Sequence, residues 1–269
     1  MPLLERPEGV LIHWDERGEG PLVVFVTPMF STHDVYDALL DDLASDHRLV
    51  VYDARGVGRS SRVGPYDIDT DAADLAAVIE AAGPPAVVAA SAESLHRAAR
   101  VAAERPDLIP AVVNVGGVPA GPQRAYGKSS GLAGSMTVIE AFVQLISSDY
   151  RGGLRSAISP ANTQLDDAGV RDRIEKLVAY APREATLARL DSWIHGDTRE
   201  QVRALGDRLW ILNHGTNAWF PEDLVDLIRD EVPEARFVDI EDGPITRPDI
   251  TAGAIRRAVA AAGVSARGC

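Results

Sequence analysis

The chain has 269 residues, 46% of them hydrophobic, and a formal net charge of −13. That length suits one α/β domain carrying an insertion, and so negative a surface disfavours nucleic acid and anionic membranes because it repels phosphate. Cys269 is the only cysteine, which excludes an internal disulfide and a thiolate metal cluster. The opening residues, Met1-Pro2-Leu3-Leu4-Glu5-Arg6-Pro7, hold no basic segment followed by a long apolar run, and no segment is long and apolar enough to span a bilayer. A cytoplasmic protein is the expectation.

Short β-branched runs alternate with helical stretches. Val10–Trp14 reads as a strand, followed by a turn at Arg17-Gly18-Glu19-Gly20-Pro21. Leu22–Val26 is continuously apolar, as a strand buried on both faces should be. Val35–Leu43 has helical spacing, and Arg48–Tyr52 is a second buried strand. An amphipathic helix over Asp71–Ala82 stops at Gly83-Pro84. Ala86–Ala90 and Ile109–Val115 read as strands around a helix at Ser94–Glu104. Leu209–Leu212 and Ala235–Ile240 supply two more strands, with a helix at Leu224–Glu231 between them and a last one at Ile250–Ala262. This rhythm implies a mostly parallel central sheet with helices on both faces, an α/β fold. The interval 121–208 breaks the rhythm. It holds helical patterns at Met136–Ser147, Val170–Tyr180 and Arg183–Ile194 and no convincing strand, as a helical cap over a core of residues 1–120 and 209–269 would. Such a cap encloses a pocket at the carboxyl ends of the strands.

Several segments, in order, resemble the α/β-hydrolase superfamily over nearly the full length. Gly18-Glu19-Gly20-Pro21 with Leu22–Val26 resembles the family's second and third strands. Tyr52-Asp53-Ala54-Arg55-Gly56-Val57-Gly58-Arg59-Ser60 is close to its Y-D-x-R-G-x-G-x-S loop and is the most specific match. Ala102-Ala103-Glu104-Arg105-Pro106-Asp107, leading to Val112–Val115 and Gly116-Gly117, resembles the stretch after the nucleophile helix, and His214-Gly215-Thr216-Asn217 resembles the strand end that delivers the acid. The resemblance implies an α/β-hydrolase fold with a helical cap.

It also implies a nucleophile in G-x-Ser-x-G, on a strained turn between strand and helix. Counting back from Glu104-Arg105-Pro106 puts the apex at Ala92, flanked by Ala90 and Ser94. A shift by one residue would make Ser91 the apex and put Glu93 where a small side chain is needed. On the first register Ser91 is a pocket-wall residue and Ser94 a helix N-cap. The family's general base follows the last strand as Gly-His. Here that place reads Asp242-Gly243-Pro244-Ile245-Thr246, and no histidine follows His214, so Pro244 leaves no acceptor for a serine proton. The acid position falls on Ala218, and no Asp or Glu lies between Asp107 and Glu140 to replace it. The oxyanion loop reads Thr27-Pro28-Met29-Phe30, and the resemblance assigns the oxyanion donors to the amides of Met29 and Glu93. Glu93 there opposes an anion unless its side chain turns away.

The candidates for other chemistry are His33, shortly after the oxyanion loop, Glu93 beside the elbow as a base, and Ser91; ordinary surface, capping or arginine-paired roles stand beside each. His96 and His214 read as structural. Thr27, Pro28, Met29, Phe30, Ala92, Ser94, Tyr150, Trp193 and Trp219 are candidate pocket residues, although packing explains any one cap aromatic. Gly56-Val57-Gly58 lacks the third glycine of a dinucleotide fingerprint, no metal-ligand spacing is present, and no cofactor is expected. Three readings follow: a cyclase, lyase or isomerase acting on a small apolar organic substrate in secondary metabolism, a ligand-binding pseudoenzyme, or a hydrolase with relocated groups such as Ser91 with His33. A homo-oligomer is compatible with all three.

Overall fold

The computed structural model describes residues 3–116, 136–162, 164–213, 222–240 and 243–266. Eight strands form one sheet in the order β1-β2-β4-β3-β5-β6-β7-β8: β1 (Leu3–Arg6), β2 (Val10–Arg17), β3 (Leu22–Val26), β4 (Arg48–Tyr52), β5 (Val87–Ser91), β6 (Ala111–Val115), β7 (Leu209–Asn213) and β8 (Arg236–Asp239). β1 and β2 join antiparallel, and every pair from β4 to β8 is parallel. β1 was not evident in the sequence because its burial alternates at an exposed edge over only four residues.

Strand alternation sorts the core into two layers. Val24, Val26, Val88 and Ala90 face one side, with α2 (Ile68–Ala82) and α3 (Leu95–Glu104) packed on it. Val23, Phe25, Val87 and Ala89 face the other, covered by α1 (Asp37–Ala44) and α10 (Pro248–Ala262). The central strands are buried at every position, which explains their unbroken apolar runs. α2 begins three residues before the amphipathic pattern, because the Asp67 carboxylate accepts the Thr70 N–H at 2.7 Å and caps it.

Between β6 and β7 the described chain is helical: α4 (Met136–Ser148), α5 (Tyr150–Ala161), α6 (Asp167–Tyr180), α7 (Arg183–His195) and α8 (Arg199–Leu205). α5 was hidden by Gly152-Gly153 and Pro160, which read as turn signals. Gly153 is there for contact: a Cβ would lie 2.5 Å from Ile146 Cα on α4, so the two helix backbones approach closely at this point. α8 packs against α3 rather than over the strand ends. Residues 117–135, where the inserted interval begins, lie outside the described residues. α9 (Glu222–Glu231) joins β7 to β8.

The Y-D-x-R-G-x-G-x-S loop is an internal brace. Buried Asp53 accepts the Arg59 amide at 3.0 Å, Arg55 makes two bonds to Asp74 at 2.7 and 2.9 Å, and Ser60 bridges the His13 amide and the Asp53 carbonyl. Gly58 has φ 56°, and a Cβ there would meet the Asp53 carboxylate at 2.5 Å. A second buried network ties cap to core. The Arg189 guanidinium on α7 bonds Asp71 on α2 at 2.8 and 2.9 Å, and Arg97 on α3 approaches the same carboxylate at 3.5 Å. Burial alone would raise the Asp71 carboxyl, but Arg189 and Arg97 outweigh it and hold it below the ordinary range. Asp71→Asn leaves buried Arg189 without its carboxylate and Arg97 with Glu93 alone, and should cost about 3–5 kcal/mol of unfolding free energy. Urea denaturation measures it, and an unchanged midpoint would show that the network contributes nothing.

Candidate functional site

β3 and β5 are neighbours, but the chain leaves β3 for β4 on one side and β5 for β6 on the other. Strand order reverses there, so a crevice opens beyond their carboxyl ends. The loop after β3 carries Thr27 to Phe30, and the turn after β5 carries Ala92 and Glu93. β5 ends with Ser91 extended at φ −94°, and Ala92 then turns at φ 50° into α3. A left-handed backbone costs a residue with a Cβ roughly 1–2 kcal/mol. The strained apex is therefore Ala92, and Ser91 is the last residue of the strand.

The next side chain fills the donor site. The Met29 N–H donates to Glu93 Oε1 at 2.7 Å, and the Arg97 guanidinium approaches the same oxygen at 3.4 Å. The Glu93 amide also acts on its own carboxylate. Both amides that the sequence assigned to an oxyanion thus act on an internal anion; the side chain has not turned away. Burial pushes the Glu93 carboxyl above the usual carboxylate range, against Arg97 and the Met29 amide, which favour the charged form. Across the crevice the Tyr36 hydroxyl lies 3.4 Å from Ser91 Oγ, and burial raises this phenol.

The loop bearing Met29 is held from behind. His33 Nδ1 lies 2.7 Å from Thr27 Oγ1 and His33 Nε2 lies 2.9 Å from Asp53 Oδ1. The Tyr180 hydroxyl, from the end of α6, donates to Asp53 at 2.7 Å and sits 3.1 Å from His33 Nε2. Burial would raise the Asp53 carboxyl, but His33, Tyr180 and the Arg59 amide hold it far below its ordinary value.

A cavity of about 200 Å³ lies over this floor. Of the residues singled out in the sequence, Pro28, Met29, Phe30, Ser91, Ala92, Glu93 and Trp193 line it; Tyr36, Phe142, Asn162, Arg173 and Ile245 line it too and were not among them. Four expected residues lie elsewhere. His33 is absent from the wall because both ring nitrogens are engaged in the brace, so it does not pair with Ser91. Thr27 lines a neighbouring space of about 30 Å³ with Arg97, Tyr180 and Arg189. The Ser94 hydroxyl is buried against the carbonyls of Val26 and Ser91, at 3.0 and 2.7 Å, and makes no capping bond. Tyr150 joins cap helices by bonding the Ala181 carbonyl and Thr186, both at 2.8 Å. Trp219 and Ala218 lie outside the described residues. Ile245, next to Pro244, presents an aliphatic side chain to the cavity, and among the described residues no histidine lines it.

Comparison with known proteins agrees with this fold. A family model described as the alpha/beta hydrolase fold matches residues 21–132. Among solved structures, an esterase from Exiguobacterium antarcticum superposes with TM-score 0.83 at 15% identity, covering 96% of this chain and 98% of that one. A bromoperoxidase from Bacillus anthracis gives 0.79 at 19% identity, over 95% and 96%. The fold is that of the α/β hydrolases. Among curated proteins, RutD of Azorhizobium caulinodans, provisionally named a carbamate hydrolase, is 23% identical over 86% of this chain and 87% of its own length. A polyketide synthase, ThaQ of Burkholderia thailandensis, is 36% identical over 81 residues; this match spans 30% of the chain and 4% of that protein.

On the α/β-hydrolase frame, the overlooked cavity residues had weak signals. Arg173 lies three residues after Val170 and four before Leu177, so it falls on the buried stripe of α6, where a charged residue is unusual. Tyr36 precedes the helix it was assigned to and is 5% exposed. Among the described residues no group of metal-ligating side chains is present and no helix is long and apolar enough to cross a membrane. Since burial outweighs the charges that favour its anion, Glu93 should titrate above the ordinary glutamate value of roughly 4.3. Its carbon-13 carboxyl shift, assigned by the loss of the signal in Glu93→Gln, measures this; a midpoint at or below the ordinary value would refute it.

Proposed function

We propose that this α/β-hydrolase body performs proton-transfer chemistry on a small, largely apolar intermediate, as a cyclase, lyase or isomerase, with Glu93 as its acid–base group. The observation that carries this reading is the 2.7 Å bond from the Met29 amide to the Glu93 carboxylate. Acyl transfer needs that donor for the oxyanion of its tetrahedral intermediate. A resident carboxylate occupies the donor and repels a second negative charge. Ala92 at the apex has no nucleophilic atom, so we read the serine relay as lost together with its base at Pro244 and its acid at Ala218.

The remaining groups suit proton transfer. A carboxyl raised by burial moves toward the operating pH, where general acid–base catalysis is most effective. Glu93 takes a proton from a substrate C–H, and the electron pair enters an adjacent π-system. In an isomerisation Glu93 returns the proton to another atom; in an elimination the pair expels a leaving group, which takes the proton. Tyr36, kept neutral by burial, donates a hydrogen bond to the charge that develops. Orientation in the cavity contributes further, up to about 7–11 kcal/mol in favourable intramolecular cases. The stretch similar to a polyketide synthase supports a place in biosynthesis.

A second reading, a hydrolase with relocated groups, is favoured by one contact. Thr27, His33 and Asp53 are linked in the order of nucleophile, base and acid. The Thr27 hydroxyl, however, adjoins the space of about 30 Å³, room for roughly one water rather than a substrate.

Treatment with a fluorophosphonate probe should leave the intact mass unchanged, and Ala92→Ser should hydrolyse p-nitrophenyl butyrate no faster than the parent chain. A covalent adduct at Ser91 or Thr27, or esterase activity in Ala92→Ser, would overturn the proposal. In deuterated water, small apolar β-dicarbonyl compounds should exchange their acidic C–H in a reaction that Glu93→Gln abolishes. Binding without exchange would identify a ligand-binding protein instead.

A further inference from the structure

The cavity has a charged end that proton transfer at Glu93 does not use. Arg173, on the buried stripe of α6, points its guanidinium at the cavity wall. Its hydrogen bond is to the Asn162 side-chain oxygen, and Asn162 is fixed in turn by donating to the Ile158 carbonyl at 2.7 Å. Among the described residues Arg173 pairs with no carboxylate. The acids whose charge it feels are Asp34 and Asp172, and Lys176 holds both, at 3.2 and 3.1 Å. The buried arginines differ: Arg55, Arg97 and Arg189 each have at least one carboxylate partner, whereas part-buried Arg208, which like Arg173 pairs with none among the described residues, is engaged by backbone carbonyls and lies away from the cavity.

A half-buried guanidinium that lines an apolar cavity, with a neutral amide as its hydrogen-bond partner among the described residues, has donors left to offer a ligand. The planar fork matches a carboxylate in two parallel bonds, and such charge-assisted bonds are the strong ones. The surrounding wall is apolar: Phe30, Phe142, Ala157, Ile158 and Trp193. At about 200 Å³ the space is below the roughly 300–1,000 Å³ of drug-sized pockets. Tyr36 also lines the cavity and is close enough to feel the charge of both Glu93 and Arg173.

We propose that Arg173, backed by Asn162, anchors the carboxylate of a compact apolar acid and directs its far end to Tyr36 and Glu93. This rests on the reading of the cavity as the ligand site and narrows its ligand from apolar molecules in general to monocarboxylic acids.

Isothermal titration with 4-phenylbutyrate, octanoate and decanoate, each against its alcohol, tests the anchor without turnover. At neutral pH at least one acid should bind ~10- to 100-fold more tightly than its alcohol, the range expected for a charge-assisted pair. Arg173→Gln should remove that ratio while leaving alcohol binding intact, which also reports that the cavity has folded. If Arg173→Gln does not fold, Arg173→Lys should lower the ratio, since it keeps the charge and loses the fork. Equal binding of acid and alcohol, no binding of any acid, or a ratio indifferent to Arg173 would overturn the proposal. Acids held through Arg173 without any deuterium exchange would leave the anchor standing and remove only the proton-transfer reading.

Discussion

The Glu93 carboxylate could not rest against the Met29 amide without Arg97 behind it. A buried anion with only neutral donors around it would be protonated or expelled. Arg97 supplies the charge, but is itself buried and leans on Asp71, which is shared with Arg189 from the cap. One row of alternating charges therefore runs from the floor of the cavity to the helix that covers it. Each member is tolerable only because its neighbours are in place, and this fixes both the cap position and the orientation of Glu93.

The elbow shows the same economy. Ala92 keeps the left-handed backbone that a nucleophile would need, although it has nothing to present. Such strain persists where the surroundings over-determine the conformation. Here they do: Ser94 is locked to the carbonyls of Val26 and Ser91, and the turn delivers the Glu93 carboxylate to Met29. The turn holds its strained geometry with an alanine at the apex.

How much of this was legible varied with the kind of signal. The buried parallel strands were readable nearly to the residue, because burial on both faces forces unbroken apolar runs; Arg48–Tyr52 is the same in sequence and structure. The helix at Tyr150–Ala161 was not, since its glycines serve an interhelical contact that composition does not reveal. At the site, Ala92 and Glu93 were found by counting along a motif. His33 was judged by its nearness to the loop, and only three dimensions show its ring locked between Thr27 and Asp53. Arg173 and Tyr36 escaped because they reach the cavity from elements far apart in the chain. Their importance comes from what surrounds them, and one-dimensional spacing carries no record of that.

The Tyr180 hydroxyl has a mechanical consequence. It belongs to the last residue of a cap helix, yet it bonds Asp53 and touches His33, the two groups that brace the loop carrying Met29. A cap that lifted to admit a ligand would withdraw this hydroxyl, slacken the brace and shift the amide on which the Glu93 charge depends. In such a movement the position of the inserted helices and the proton affinity of Glu93 would be coupled through one hydroxyl.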